Sequence, residues 1–131
     1  AAVSLVSGGA ELDDTQIAKL ACSLADGDVR DALYGLAVDP AAGRVEDTFA
    51  WLSRTLPEPW RADALAVHSY YAYARGNGPM AGVSLEAALT INPTHRMATL
   101  LNTALQSGMH PKRIRELAEI QRRRHAAAEP R

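Results

Sequence analysis

Apolar residues recur every three or four positions along this 131-residue chain, and prolines or glycines interrupt the pattern between segments. Such spacing places apolar side chains on one face of an α-helix, whereas a half-buried strand needs strict alternation. The run AVSLV at residues 2–6 is β-like, but it is too short for an independent sheet. The pattern therefore predicts an all-α fold of about six or seven helices.

Seven segments carry the helical pattern. We predict helices over about residues 14–25, 29–38, 42–55, 59–75 and 79–91, a sixth helix between Thr94 and Gly108, and a seventh over about 111–126. Short connections make consecutive helices antiparallel, so they should form helical hairpins. The chain length suits one hydrophobic core. We divide it into an N-terminal extension (1–12), a single helical domain (13–126) and a frayed tail (127–131).

Polar residues at the predicted helix starts supply caps. Asp13, followed by Gln16 three positions later, fits a capping box at the first helix, and Gly27 is expected to end that helix. Asp28 and Thr94 are the predicted caps of the second and sixth helices. The fourth, fifth and seventh helices have prolines suited to a first turn, namely Pro59, Pro79 and Pro111.

The apolar stripes predict which side chains are buried. For helices four to six the predicted inward positions are Trp60, Ala64, Val67, Tyr71 and Ala74, then Ala81, Leu85, Ala88 and Leu89, then Met97, Leu100, Leu101, Ala104 and Leu105. Leu65, Tyr70 and Tyr73 make the fourth helix apolar on more than one side. We therefore expect the fourth helix to be central.

Residues 76–93 partly match a tetratricopeptide unit. With Pro93 at the last signature position, Ala81, Leu85 and Ala88 take the small, large and small positions of the second helix. The signature positions of the first helix are occupied instead by Leu65, His68, Ser69 and Ala72. This half match predicts a tetratricopeptide-like central pair of helices rather than a repeat array.

From about Gly27 to Pro111 the chain resembles a known family. The residues that carry the likeness are Pro59, the Gly76-Asn77-Gly78 loop, Ala81, Glu86, Ala88-Leu89, Pro93, Leu100-Leu101, Ala104-Leu105, Gly108 and Pro111. They are similar to the C-terminal half of an actinobacterial family known only as a domain of unknown function, the 4192 family. The resemblance implies no activity, cofactor or catalytic residue, and it implies a strand-rich N-terminal region in family members.

Composition argues against several classes of function. A formal net charge of −1 gives no global attraction to nucleic acid or anionic membranes, and no apolar run is long enough to span a membrane. The four histidines are widely spaced and Cys22 is the single cysteine, so no helix offers a pair of metal ligands. We expect no cofactor, no metal and no membrane, and a lone cysteine is compatible with a cytoplasmic location.

The fourth helix carries a predicted partner surface, with His68, Tyr70, Tyr73 and Arg75 as candidate residues. Tyr70 and Tyr73 share one helix face, and tyrosine is enriched at interfaces, so both would suit a partner if they are exposed. His68 is also the candidate base of an enzymatic or small-molecule site. Ser69 cannot be its nucleophile, because adjacent helical residues diverge by about 100°.

The seventh helix carries a basic cluster. Its candidate nucleic-acid-binding residues are Lys112, Arg113, Arg122, Arg123 and Arg124. Glu116 and Glu119 interrupt the positive charge, and no aromatic residues are interleaved for base stacking. Cations near the end of a helix also suit the helix dipole.

These observations favour a non-enzymatic helical interaction or scaffold domain. We expect a groove beside helices four and six to take a protein partner or a second copy of the chain. Nucleic-acid binding through the seventh helix is the first alternative. An enzymatic or small-molecule site near His68 is the second.

Overall fold

A computed structural model describes residues 12–128 of the chain. Within this range the chain forms seven α-helices and a short 3₁₀ turn, with no strand, so the predicted all-α class is confirmed. The helices are α1 (Asp14–Ser23), α2 (Gly27–Gly35), α3 (Ala42–Thr55), α4 (Trp60–Ala74), α5 (Gly78–Ile91), α6 (Arg96–Gln106) and α7 (Pro111–Ala128), and the turn is Leu36–Val38. The β-like run at 2–6 and residues 129–131 of the predicted tail lie outside the described range.

Helix α4 lies at the centre of the fold. Twelve of its 15 residues are buried, and it packs against α2, α3, α5, α6 and α7. The helix carries no charged side chain between Asp63 and Arg75, and its many alanines let neighbouring helices approach closely. A helix that is apolar on all sides is stable only when it is surrounded, which explains its position.

Two tyrosines of α4 connect it to the helices on either side. The hydroxyl of Tyr71 donates a hydrogen bond to the carbonyl of Leu33 in α2. The hydroxyl of Tyr70 donates to the carbonyl of Ile114 in α7 at 3.4 Å, and its ring lies 4.6 Å from the ring of Tyr34, centroid to centroid. Buried phenols need such partners, because an unpaired buried hydroxyl costs free energy.

The C-terminal end of α4 is tied to the start of α7 in the same way. The hydroxyl of Tyr73 donates a hydrogen bond to the carbonyl of Met109 at 2.7 Å. In the opposite direction, Arg115 of α7 donates from Nη1 to the carbonyl of Ala74 at 2.8 Å. These bonds hold the first turns of α7 against the end of α4.

Helices α2 and α7 approach each other backbone to backbone at Gly35. A Cβ atom on Gly35 would lie 2.8 Å from the backbone nitrogen of Arg122 and 3.0 Å from its Cα. The carbonyl carbon of Gln121 would lie 3.3 Å away. These are backbone atoms that cannot rotate aside, so only glycine permits this approach.

The capping box of Asp13 and Gln16 at α1 is confirmed, but the predicted cap of α2 is wrong. The carboxylate of Asp26, rather than that of Asp28, accepts a hydrogen bond from a backbone N–H at 2.9 Å. Gly27 therefore begins α2 instead of ending α1. Asp28 lies in the first turn, where its charge favours the helix dipole. Asp26 and Asp28 flank Gly27, and either could cap a helix by residue type. The backbone of Asp26 is extended, as an N-cap residue requires, so Asp26 is the cap.

The predicted cap of α6 is also wrong. Thr94 is used by the preceding turn, where its backbone N–H and its hydroxyl donate to Oδ1 of Asn92 at 3.1 and 3.0 Å. His95 caps α6 instead, because its Nδ1 accepts a hydrogen bond from the N–H of Ala98 at 3.2 Å. Histidine is not among the residues that usually cap helices, so the pattern gave no signal for it.

Two predicted inward positions are exposed. Trp60 is 42% exposed and Leu100 is 56% exposed. Trp60 is the first residue of α4 and lies at the edge of the core. Leu100 lies on a side of α6 that the neighbouring α4 and α5 do not cover. A stripe of apolar residues identifies a helix, but it does not say how much of that helix the fold covers.

We expect Gly35→Ala to lower the free energy of unfolding by about 1–3 kcal/mol, because the added methyl group meets the backbone of α7. Gly82→Ala in α5 is the matched control. Its Cβ would meet only Leu105 Cδ2 at 3.5 Å, so the higher helix propensity of alanine should raise stability by up to about 1 kcal/mol. Urea unfolding followed by circular dichroism measures both, and equal effects would contradict the close approach.

The stability of the fold should fall above about pH 10. Burial raises the pKa of all four tyrosines, which are Tyr34, Tyr70, Tyr71 and Tyr73. In the unfolded chain their pKa is about 10, so at higher pH the unfolded state loses protons that the folded state keeps. The stabilisation is fully present below that pH and is lost above it.

Titration of tyrosinate absorbance together with helical circular dichroism tests this expectation. Ionisation of the tyrosines should coincide with the loss of helix. Ionisation of several tyrosines in a chain that stays fully helical would contradict it.

Candidate functional site

An apolar groove lies between α6 and α7, with a volume of about 320 Å³. Its lining residues are Asp31 and Tyr34 of α2, Tyr70 of α4, Met97, Leu100, Leu101 and Ala104 of α6, Met109, and Ile114, Leu117 and Gln121 of α7. Tyr34 and Tyr70 are buried and form its floor. We call this space the apolar compartment.

The groove exists because α6 and α7 follow different neighbours. α6 packs against α5 and α4, whereas α7 packs against α2, α4 and the 3₁₀ turn. Gly108 separates the two helices with a φ of 78°, a left-handed conformation that favours glycine. Gly108 thus ends α6 as predicted and lets the chain turn away before α7.

Exposed apolar side chains form the rim of the groove. Leu100 on α6 is 56% exposed, Leu117 on α7 is 50% exposed, and Met109 in the connection is 37% exposed. Single exposed apolar residues are common, but a contiguous set around a concave surface is typical of binding sites. Removing such side chains from water on binding contributes a favourable free energy of about 25 cal/mol for each Å² of apolar area buried.

A second space of about 390 Å³ continues the groove towards α2. It shares Asp31, Tyr34, Met97 and Leu100 with the apolar compartment and adds Gly27, Arg30 and Arg96. We call it the basic compartment. Among residues 12–128, neither Arg30 nor Arg96 has a carboxylate oxygen within 4.0 Å of its guanidinium.

The structure separates the residues predicted to bind a partner on α4. Tyr70 is 4% exposed and Tyr73 is 1% exposed, so the condition that they be exposed fails for both. Tyr70 nevertheless forms part of the groove floor. Arg75 is exposed, and its Nε lies 2.8 Å from both carboxylate oxygens of Glu46 on α3, with Nη2 2.7 Å from Oε2.

His68 is buried and has a partner that sequence reasoning missed. Its Nδ1 lies 2.8 Å from Oγ of Ser84 on α5, and both residues lie in the interface between α4 and α5. Burial lowers the pKa of His68, because the imidazolium form loses its hydration there. The available signal was that Ser84 lies three positions after Ala81, on the inward face of α5.

A serine beside a histidine can form a nucleophile and base pair, but the surroundings of Ser84 do not support acyl transfer. Ser84 is 3% exposed and neither compartment is lined by it or by His68. Ser84 also lies in the middle of α5, where backbone N–H groups are used by the helix and cannot serve as oxyanion donors. This pair satisfies two polar groups inside the core.

His95 forms a second buried pair, with Asp63 of α4. Its Nε2 lies 2.8 Å from Oδ1 of Asp63, while Nδ1 accepts the N–H of Ala98. Because Nδ1 accepts a hydrogen bond, the neutral ring carries its proton on Nε2. The Nε2–H group then donates a hydrogen bond to Oδ1 of Asp63. Both nitrogens are therefore used, and none is left to act as a base.

Three of the five candidate nucleic-acid-binding residues of α7 lie beside carboxylates. Arg122 lies 3.4 Å from Asp39 and 4.0 Å from Glu119, and Arg123 lies 3.3 Å from Glu119. Arg113 lies 3.8 Å from Glu116, while Lys112 and Arg124 are exposed. Pairing with glutamates on the same helix reduces the positive field of α7.

Residues 12–128 contain neither a cluster of metal-ligating residues nor a helix suited to cross a bilayer. No group of three or more His, Cys, Asp or Glu residues there could hold a metal ion. None of the helices described is long and apolar enough to cross a bilayer. Cys22 is exposed and forms no disulfide.

The chain matches a protein family by sequence. A family model described as "Domain of unknown function (DUF4192)" matches residues 1–112 of the 131-residue chain. This confirms the resemblance to the 4192 family. Comparison with curated proteins and with solved structures gives no match.

Replacing His68 tests whether its contact with Ser84 is structural. We expect His68→Gln to cost about 1–3 kcal/mol of unfolding free energy near neutral pH, because a buried hydrogen bond is lost. The folded pKa is lowered, so His68 contributes stability that is present above the unfolded pKa of about 6.5 and is lost as the pH falls. The cost of the substitution should therefore shrink below that pH.

Unfolding of the unchanged chain and of the His68→Gln variant, at pH values above and below the unfolded pKa of histidine, measures this difference. Two stability profiles that stay parallel through the acid range would contradict the lowered pKa.

Proposed function

We propose that this chain, which belongs to the DUF4192 family of domains of unknown function, is a non-enzymatic helical interaction domain that binds a protein segment in the groove between α6 and α7. One observation carries the proposal. Leu100 and Leu117 are about half exposed on opposite sides of an apolar compartment whose floor is formed by two buried tyrosines.

The burial of the floor supports a binding role. Tyr70 and Tyr34 are buried, and their rings lie 4.6 Å apart, centroid to centroid, so the floor of the compartment is part of the core. A preformed site loses less conformational entropy on binding. The expected groove beside the fourth and sixth helices corresponds to this compartment, since α4 contributes its floor and α6 one wall.

Three finer statements belong to the same proposal. Binding of a second copy of the chain in the groove is one form that the interaction could take, and it is an outcome that the experiment below distinguishes. A tetratricopeptide-like packing of α4 and α5 is supported by the burial of Ala81, Leu85 and Ala88 in that hairpin. A cytoplasmic location is consistent with the single cysteine, Cys22.

The two alternatives have less support. Nucleic-acid binding through α7 would depend on Lys112 and Arg124, since Arg113, Arg122 and Arg123 lie beside glutamates. A catalytic or small-molecule site at His68 would need access to a residue that is 8% exposed. The groove has both access and apolar area, so it is the stronger candidate.

Site-specific photo-crosslinking tests the proposal. A photoreactive amino acid in place of Leu100 or Leu117 should give discrete cross-linked species in the native host, because these positions line the groove. The size of the adduct distinguishes a second copy of the chain from another protein.

Val83 on α5 provides the control position. It is 65% exposed, more than either groove residue, and it does not line the groove. Discrete adducts from positions 100 and 117 but not from position 83 support the proposal. The same products at all three positions, or none at the groove positions, would contradict it.

A further inference from the structure

We infer that the groove between α6 and α7 takes an amphipathic helical segment of another protein, one that carries acidic residues beside its apolar ones. This inference rests on the proposed interaction function and adds the chemistry of the partner. Three features of the groove carry it: the charge of the basic compartment, the arginines that flank the apolar stripe of α7, and the all-helical surroundings.

The basic compartment attracts negative charge. Arg30 of α2 and Arg96 of α6 both line it, and neither forms an ion pair with a described carboxylate. Asp31 is the only carboxylate among the lining residues of the two compartments, so two cations face one anion. A partner carboxylate would complete this arrangement, and guanidinium groups bind carboxylates with two parallel hydrogen bonds.

The outer face of α7 also places arginines next to exposed apolar residues. Arg113, Leu117, Ile120 and Arg124 follow one another at intervals of four, three and four residues, which places them along one stripe. Leu117 and Ile120 are 50% and 46% exposed, and Leu117 also lines the groove. Arg113 lies 3.8 Å from Glu116, whereas Arg124 has no described carboxylate oxygen within 4.0 Å of its guanidinium. A ligand with apolar residues over Leu117 and Ile120 and an acidic residue beside Arg124 would match this stripe.

The same arginines disfavour pairing of α7 with α7 of a second copy. In an antiparallel pair centred on Leu117 and Ile120, Arg113 of one copy would meet Arg124 of the other. In a parallel pair, each arginine would meet its own counterpart. Like charges opposite each other weaken association, and Glu116 and Glu119 on the same helix offset only part of this repulsion.

The fold also favours a helical ligand over an extended one. The described part of the chain has no strand, so it offers no sheet edge to which a peptide backbone could bond. An extended peptide buried in an apolar groove would leave its backbone N–H and C=O groups unpaired. A helix satisfies them internally and can place apolar side chains at positions i, i+3, i+4 and i+7 between the two walls.

Selection from a displayed library of randomised helical peptides, against the whole chain, tests this inference. The enriched peptides should carry apolar residues at helical spacing together with an excess of Asp and Glu near them. For a selected peptide, Arg96→Glu and Arg30→Glu should each weaken binding by about tenfold, and Leu100→Asp by about a hundredfold or more. The matched controls are Arg54→Glu on α3 and Val83→Asp on α5, both exposed and outside the groove.

The outcomes distinguish failure of the inference about charge from failure of the proposed interaction function. Acidic peptides whose binding depends on Leu100 and Arg96, with no change in the controls, support both. Peptides that depend on Leu100 but show no preference for acidic residues leave the groove function standing and overturn the inference about charge.

A dimer detected by light scattering and broken by Leu100→Asp would make a second copy the occupant, which overturns the inference but not the interaction function. Peptides that bind equally well to the Leu100→Asp and Leu117→Asp variants would overturn both. Circular dichroism of each variant checks that it remains folded.

Discussion

The burial of the tyrosine hydroxyls of α4 against backbone carbonyls is the interaction on which the rest of the structure depends. A helix surrounded on all sides must satisfy every polar group that it carries into the core. Tyr70, Tyr71 and Tyr73 do so by donating to carbonyls of α7, of α2 and of Met109 in the connection before α7, respectively. The same bonds that remove the cost of burying these hydroxyls fix the positions of the flanking helices. The hydroxyl groups of all three tyrosines are therefore used inside the fold.

The groove between α6 and α7 depends on the backbone at two glycines, Gly35 and Gly108. Gly35 allows α7 to approach α2 at backbone contact, which draws α7 towards that side of α4. Gly108 allows the chain to reverse between α6 and α7 without forcing them together. α6 stays with α5 and α4, so a gap remains above Tyr34 and Tyr70. The candidate site is thus a consequence of packing elsewhere, and its floor is part of the core.

The buried histidines illustrate why residue type alone does not establish chemistry. His95 uses one nitrogen to cap α6 and the other to bond Asp63, so it has no nitrogen available for proton transfer. His68 meets Ser84 inside the interface of α4 and α5, away from both compartments. A catalytic pair needs access and charge-stabilising donors as well as contact. In this fold the two histidines contribute to packing and to helix capping.

The sequence by itself determined the all-α class, the approximate bounds of the helices and the central place of α4, because helical periodicity, proline and glycine act locally. It also indicated family membership through turn and packing residues such as Gly108. It did not determine the contact of His68 with Ser84, the cap at His95 or the exposure of Leu100, since each depends on residues from another helix or on how far the neighbours reach. The sequence predicted a groove for a partner beside the fourth and sixth helices, and that role stays a prediction. Its lining and its charge were decided by the tertiary structure, because side chains from α2, α4, α6 and α7 meet there only after the helices have packed.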